Sequence, residues 1–99
     1  MSCAIAVDAD EIARFCQRNH IARLAFFGSV LTDTFTPESD VDVLVAFQPG
    51  NTPGFFALAD MAFELEGLLG RKVDLRTAED LSPYFRDEVV QNAELLYAE

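Results

Sequence analysis

The sequence predicts a small α/β (α+β) domain in which helices pack on a short mixed β-sheet. Short, β-branched apolar runs alternate with longer segments in which apolar residues recur every three or four positions. The first pattern is typical of buried strands, and the second is typical of helices with one apolar face. The chain has 99 residues, of which 51% are hydrophobic, so it can build one modest core. We therefore expect a single domain over residues 1–99.

The first half of the chain is predicted to contain one helix and two strands. Apolar residues within 8–19 recur at helical spacing, and Asp8 or Asp10 is available as the N-cap. The run ARLAFFG at 22–28 is apolar and ends at a glycine, which predicts a buried strand. Residues 40–47 are rich in valine and predict the second strand.

The second half is predicted to contain a helix, a strand and a final helix. Residues 48–54 (QPGNTPG) predict a loop. A second helix follows and ends at Gly70, and its predicted core face is formed by Phe55, Leu58, Ala62, Leu65 and Leu69. Residues 72–77 (KVDLRT) predict a third strand. The Ser-Pro pair at 82–83 predicts the start of a last helix that continues to Tyr97. The predicted element order is therefore α-β-β-α-β-α.

The composition excludes some classes of partner and compartment. Seventeen acidic residues against seven basic ones give a net charge of −10, which repels nucleic acid, so we expect no direct nucleic-acid partner. The apolar runs are too short to cross a bilayer and the N-terminus lacks a basic head, so we expect no membrane span and no signal peptide. Cys3 and Cys16 show neither metal-ligand spacing nor a disulfide framework, which favours a cytoplasmic protein with reduced thiols.

Two aspartates stand at the head of the second predicted strand. Side chains at i and i+2 share one face of a strand, so Asp40 and Asp42 point the same way, about 7 Å apart by strand rise. The opposite, core-facing side is then formed by Val41, Val43 and Val45. Two like charges this close repel each other, and a divalent cation such as Mg²⁺ is the natural partner for hard oxygen ligands.

A third aspartate and a glycine-serine turn complete a candidate site. Asp74 lies in the third predicted strand, and three carboxylates along one edge suit two-metal phosphoryl or nucleotidyl transfer, with Asp74 as metal ligand or general base. Gly28 and Ser29 end the first strand, where backbone N–H groups and a hydroxyl can hold phosphate oxygens. Each feature alone is more often an ordinary turn or a solvated strand end. Their combination favours a nucleotide site.

The spacing of these residues resembles that of a known family. Gly28 and Ser29, ten residues, then Asp40 and Asp42 match the signature of minimal nucleotidyltransferases, a small branch of the DNA polymerase β-like superfamily. The stretches LAFFGSVLTDTFTPESDVDVLVAFQPG, GRKVDLRT and LSPYFRDEV are similar to the members encoded beside a HEPN-domain toxin. The resemblance covers nearly the whole chain.

The resemblance implies an antitoxin that uses ATP and Mg²⁺ to transfer AMP onto a tyrosine of a HEPN ribonuclease and so switches it off. It implies that Asp40, Asp42 and Asp74 are catalytic and hold two metal ions, and that Gly28 and Ser29 bind the nucleotide. A hetero-oligomer with the HEPN toxin is the expected assembly.

This chain departs from the family pattern after the glycine-serine pair. It has Thr32 where members of this branch commonly carry arginine, so we expect weaker nucleotide binding unless Arg71, Lys72 or Arg76 supplies the missing positive charge. Two other functions stay open from the residues. One is a non-catalytic antitoxin that neutralises a toxin by binding, and the other is a nucleotidyltransferase that acts on a small molecule such as an antibiotic.

Overall fold

A computed structural model describes residues 7–28, 40–84 and 86–99 of the chain. Within these ranges three α-helices accompany a four-stranded sheet. The elements in chain order are α1 Ala9–Arg18, β1 Ile21–Phe27, β2 Val41–Phe47, α2 Phe55–Leu69, β3 Val73–Arg76, α3 Arg86–Asn92 and β4 Glu94–Ala98. The predicted fold class, helices packed on a short mixed sheet, is confirmed.

The strands are arranged in the order β3-β2-β1-β4. β1 lies at the centre and pairs antiparallel with both β2 and β4. β2 and β3 run parallel, and the helix α2 makes the crossover between them. All three predicted aspartates therefore lie at or near the starts of these two parallel strands.

The first two helices form where their end signals predict. Asp8 caps α1, because its carboxylate accepts hydrogen bonds from the backbone N–H groups of Asp10 (3.0 Å) and Glu11 (3.2 Å). Gly70 ends α2 in the left-handed conformation (φ +69°), which glycine adopts without steric cost. A bond of 3.0 Å from the Val73 N–H to a carboxylate oxygen of Glu66 then ties the start of β3 back to α2.

The core lies between one face of the sheet and the helices α1 and α2. Every β2 valine predicted to face the core is buried, and so is the predicted apolar face of α1. The residues of this buried cluster come from α1, β1, β2 and α2: Ile12, Phe15, Cys16, Ile21, Leu24, Phe26, Val41, Val43, Val45, Met61, Leu65 and Leu69. The other face of the sheet is covered only in part, which leaves room for a site.

The C-terminal helix prediction is wrong in its second half. α3 begins at Arg86, three residues after the predicted Ser-Pro start, and ends at Asn92. Residues 94–98 form the edge strand β4, and Leu96 and Tyr97 pack against the core. The apolar spacing there is compatible with a helix, but pairing with the open edge of β1 outweighs that local preference. Phe85 lies outside the described residues.

The buried face of α2 also differs from the prediction in its first turn. Phe55 was expected on the core face, yet it is 79% exposed, and burial along the helix begins at Met61. Leu65 and Leu69 are buried as predicted. Within residues 7–28, 40–84 and 86–99, no helix combines the length and the apolar character needed to cross a membrane.

Candidate functional site

The candidate site lies where β2 faces its two neighbours. Asp42 is in register with Asp74 on the parallel strand β3 and with Phe27 on the antiparallel strand β1. Both aspartates are half-buried, on the side of the sheet away from the core valines. The sequence left open whether the third strand lies beside the second, and the register shows that it does.

Gly28 brings the turn after β1 into contact with Asp42. Its φ of +76° is a conformation that residues with a side chain rarely adopt. A Cβ atom at this position would lie 2.3 Å from Oδ2 of Asp42, far closer than real Cβ atoms approach an oxygen. Two independent constraints therefore require glycine at position 28. One is the positive φ angle, and the other is the carboxylate of Asp42, which leaves no space for a Cβ atom.

Asp40 stands immediately before β2 and is exposed. The next residue, Val41, donates its backbone N–H to the carbonyl of Lys72 at 2.8 Å, which fixes the start of β2 against the chain entering β3. Ser29 and Thr32 lie outside the described residues. The structure thus brings Gly28, Asp42 and Asp74 together and places Asp40 at the same end of β2.

Arg76 is a site residue that the sequence suggested only as a possible replacement cation. Its guanidinium donates two hydrogen bonds of 3.1 Å, one to each carboxylate oxygen of Asp74. The hydrogen bonds and charge of Asp74 raise the pKa of Arg76 above its ordinary value, and the charges of Asp80 and Asp42 add to the effect. The alternation of side chains along β3 could have revealed this pair, because residues 74 and 76 share one face.

Asp40, Asp42 and Asp74 offer the oxygen ligands that a hard divalent cation prefers, although the three side chains do not surround one point. All three candidate ligands are carboxylates, and Gly28 leaves space for that of Asp42. In the described part of the chain, no group of three or more His, Cys, Asp or Glu side chains is close enough to hold a metal ion. Both oxygens of Asp74 are instead held by Arg76. Binding of a metal by all three carboxylates would require Asp74 to leave its arginine at least in part.

Comparisons with known proteins identify the family of this chain. The family model described as a nucleotidyltransferase domain matches residues 9–96. A Methanocaldococcus jannaschii protein named "Putative protein adenylyltransferase MJ1379" is 35% identical over 73 residues, which is 73% of this chain and 73% of that protein.

Two solved structures share the fold. A toxin-antitoxin structure with AMP-PNP is 23% identical, with a TM-score of 0.72, and covers 94% of this chain and 75% of its own. A complex of the tri-AMPylated Shewanella oneidensis HEPN toxin with MNT antitoxin is 22% identical, with a TM-score of 0.64, and covers 92% of this chain and 70% of its own. At such identities these two likenesses show the fold alone. The family model covers nearly the whole chain, so this chain belongs to the nucleotidyltransferase domain family.

Proposed function

We propose that this chain is an antitoxin that transfers AMP from ATP to a tyrosine of a partner HEPN ribonuclease and thereby inactivates it. The observation that carries the proposal is the contact between Gly28 and Asp42, with Asp74 in register on the neighbouring strand. This contact joins the two halves of the sequence signature in space. A protein adenylyltransferase name for one relative and a toxin-antitoxin complex with an ATP analogue among the structural neighbours support the same activity.

The proposed reaction is a displacement at the α-phosphorus of ATP. The tyrosine oxygen forms a bond to that phosphorus while the bond from phosphorus to the bridging oxygen of the β-phosphate breaks, so pyrophosphate leaves and the phenolic proton passes to a base. Asp40 and Asp42, joined by Asp74 once it leaves Arg76, would hold Mg²⁺. Bound Mg²⁺ lowers the cost of the charge that develops on the attacking and leaving oxygens. Gly28 and Ser29 would turn backbone N–H groups toward the phosphates.

The partner and compartment are part of the same proposal. One structural neighbour is an antitoxin bound to an AMPylated HEPN toxin, which makes a HEPN toxin the partner we expect here. The net charge of −10 suits a basic, RNA-cutting partner and would speed their encounter. Such an encounter would take place in the cytoplasm.

The test is intact-mass spectrometry of a HEPN-domain protein from the same source, after incubation with the chain, ATP and Mg²⁺. We expect a mass gain of one or more AMP units. The gain should be absent with the variant Asp40→Ala/Asp42→Ala. It should be retained with Asp10→Ala/Asp87→Ala, which removes the same charge from two exposed helix positions. No gain with the wild-type chain would contradict the proposal.

Neutralisation by binding alone is a second candidate, favoured by the way in which Arg76 occupies both oxygens of Asp74. Under this alternative the toxin would be inhibited equally well by the wild-type chain and by Asp40→Ala/Asp42→Ala. A stable complex without any mass gain would support it. A variant that binds the toxin but fails to inhibit it would exclude it.

A further inference from the structure

The strand β3 forms one end of the sheet, and within the described part of the chain no strand lies against its outer edge. Val41 is in register with Val73 and donates its N–H to the carbonyl of Lys72. In a parallel pair, successive residues of a strand turn their backbone groups alternately toward the neighbouring strand and away from it. Lys72 and Asp74 therefore face β2, whereas Val73 and Leu75 face outward.

The outward orientation of Val73 is visible in its hydrogen bond. Its N–H donates to the carboxylate of Glu66 on α2 at 3.0 Å, away from β2. Leu75 has the same orientation two residues further along the strand. Its N–H and C=O are therefore placed to pair with a further strand.

An apolar groove of about 210 Å³ follows this edge, between β3 and α2. Apart from Asp74 its lining is apolar: Phe55, Leu58, Ala59, Ala62, Val73 and Leu75. Phe55 is 79% exposed, so the groove lacks a cover on its outer side. A strand edge beside an uncovered apolar surface is suited to pairing with another chain.

The opposite face of β3 carries two charges of opposite sign. Asp74 and Arg76 share this face, and their side chains are 41% and 47% exposed. Charged side chains often prevent edge strands from pairing, because like charges then lie opposite each other. A strand with opposite charges two residues apart can instead pair antiparallel with a copy of itself, so that each charge meets the opposite one.

The segment that forms this edge is neutral, although the whole chain carries a net charge of −10. Residues 71–80 contain three basic and three acidic residues: Arg71, Lys72, Arg76, Asp74, Glu79 and Asp80. Two acidic chains that meet through this segment therefore repel each other little.

We propose that this edge binds a second copy of the chain, with the two β3 strands paired antiparallel around a two-fold axis at Leu75. The N–H and C=O of Leu75 exchange two hydrogen bonds with those of Leu75 in the second copy. Asp74 of each chain lies directly opposite Arg76 of the other, in the type of pair whose side chains approach most closely. On the other face the two grooves meet at the axis, where Leu75 and Phe55 of both copies cover them. This inference uses only the strand edge and does not depend on the proposed AMP transfer.

The other positions of the axis along β3 are unfavourable. An axis at Asp74 would place two aspartates opposite each other, and an axis at Arg76 would do the same with two arginines. An axis at Val73 would need the N–H that Glu66 already accepts. Thr77 likewise donates its N–H within the chain, to Asp80. Pairing is therefore short, and we expect a dimer that dissociates on dilution.

Sedimentation equilibrium over a wide range of concentrations measures the association. The average mass should rise from the 11.0 kDa of one chain toward twice that value. In the concentrated sample the amide of Leu75 should also exchange its hydrogen more slowly than in the dilute one, because the dimer protects it. A mass that stays at that of one chain up to the limit of solubility would overturn the inference.

Two variants with changed charges test the register. Asp74→Arg places two positive charges on the edge, and Arg76→Asp places two negative charges there. Each variant alone should stay monomeric, whereas an equimolar mixture should form dimers with one chain of each kind, as native mass spectrometry can show. The double variant Asp74→Arg/Arg76→Asp should dimerise like the wild type. Circular dichroism verifies that each variant is folded.

The matched controls are Arg18→Asp and Glu64→Arg, which change the charge by the same amounts at the ion pair between α1 and α2. Both should dimerise like the wild type. Dimers of Asp74→Arg alone or of Arg76→Asp alone, or a folded mixture without dimers, would overturn the inference. So would a wild-type chain that is monomeric by itself and whose Leu75 amide becomes protected only when a HEPN protein is added, because the edge would then belong to that partner.

Discussion

The carboxylate of Asp42 lies so close to Gly28 that a single methyl group at position 28 would collide with it. The Cβ position is 2.3 Å from Oδ2 and 3.1 Å from Cγ of Asp42. The first half of the sequence motif therefore limits where the second half can place its oxygen atoms. A side chain introduced at position 28 should therefore displace the carboxylate of Asp42.

The variant Gly28→Ala should lose activity as well as stability. A residue with a side chain at φ +76° is strained by about 1–3 kcal/mol, and the new methyl group also pushes Asp42 away. We expect that cost in urea unfolding and at least tenfold slower AMP transfer under conditions in which the variant is fully folded. Gly67→Ala is the control, because Gly67 lies within α2 with open space around it, and there alanine should stabilise the helix by about 0.5–1 kcal/mol. Full activity of Gly28→Ala would contradict the close approach.

Removal of Arg76 should strengthen binding of a divalent cation. The guanidinium now holds both oxygens of Asp74 and lies within the field of Asp42. Both partners are partly exposed, so the pair is worth about 0.2–1 kcal/mol, and we expect Arg76→Ala to bind Mn²⁺ more tightly by a factor of about 1.4 to 5. Free Mn²⁺ measured by electron paramagnetic resonance would show this.

The control for the Mn²⁺ experiment is Arg18→Ala, since Arg18 also pairs with a carboxylate, that of Glu64 on α2. Its Mn²⁺ affinity should equal that of the wild type. Weaker Mn²⁺ binding by Arg76→Ala would mean that the arginine supports the cation site instead of competing with it.

Cys16 should make the protein less stable in alkaline solution. Burial raises the pKa of its thiol from 9.0 to about 12. Below pH 9 both states keep the proton, so the contribution is constant. Between these two values only the unfolded chain loses the proton, and the free energy of unfolding falls with rising pH by about 1.4 kcal/mol per pH unit.

Urea unfolding at about pH 8 and about pH 10 measures this effect. The wild type should lose about 1.4 kcal/mol more than Cys16→Ala over that interval, since alanine has no proton to release. Equal losses in the wild type and in Cys16→Ala would show that the Cys16 thiol ionises as easily in the folded chain as in the unfolded one.

Two substitutions two residues apart on α2 test the division between its faces. Leu65 is fully buried, and Leu65→Ala should lower the free energy of unfolding by about 2–5 kcal/mol through lost contacts and a cavity. Phe63 is 78% exposed, so Phe63→Ala should change it by less than about 0.5 kcal/mol. Thermal unfolding of both variants under one set of conditions suffices. Similar losses of stability in both variants would mean that the side of α2 that carries Phe63 is covered in solution.

Local patterns predicted the parts of the fold that depend on local chemistry. The Asp8 cap, the Gly70 stop and the alternation along β2 are each determined within a few residues. β4 could not be predicted in this way, because its strand state depends on pairing with β1 far earlier in the chain. The exposure of Phe55 could not be predicted either. The helical period shows which side of α2 faces the core, but not at which residue the helix first packs against the sheet.

The sequence predicted which residues form the candidate site better than it predicted which of them are in contact. The spacing of the motif identified Gly28 and Asp42 without revealing that they touch. The register of Asp42 with Asp74 required a parallel pairing across the α2 crossover, which no local pattern specifies. The hydrogen bonds from Arg76 to Asp74 could not be predicted either, because a flexible arginine side chain can bond to any carboxylate within reach or to water.

The pairing of β4 with β1 also bears on how the protein is made. β1 is translated early and its partner β2 is the next strand in the chain, but the partner of its other edge is complete only when residue 98 has been synthesised. During that interval the nascent chain displays an open strand edge, which can pair with a neighbouring chain on the same message. Ribosomes that stall between α2 and β4 should therefore yield fragments prone to aggregation, and prompt binding of a chaperone would matter most for this stretch of translation.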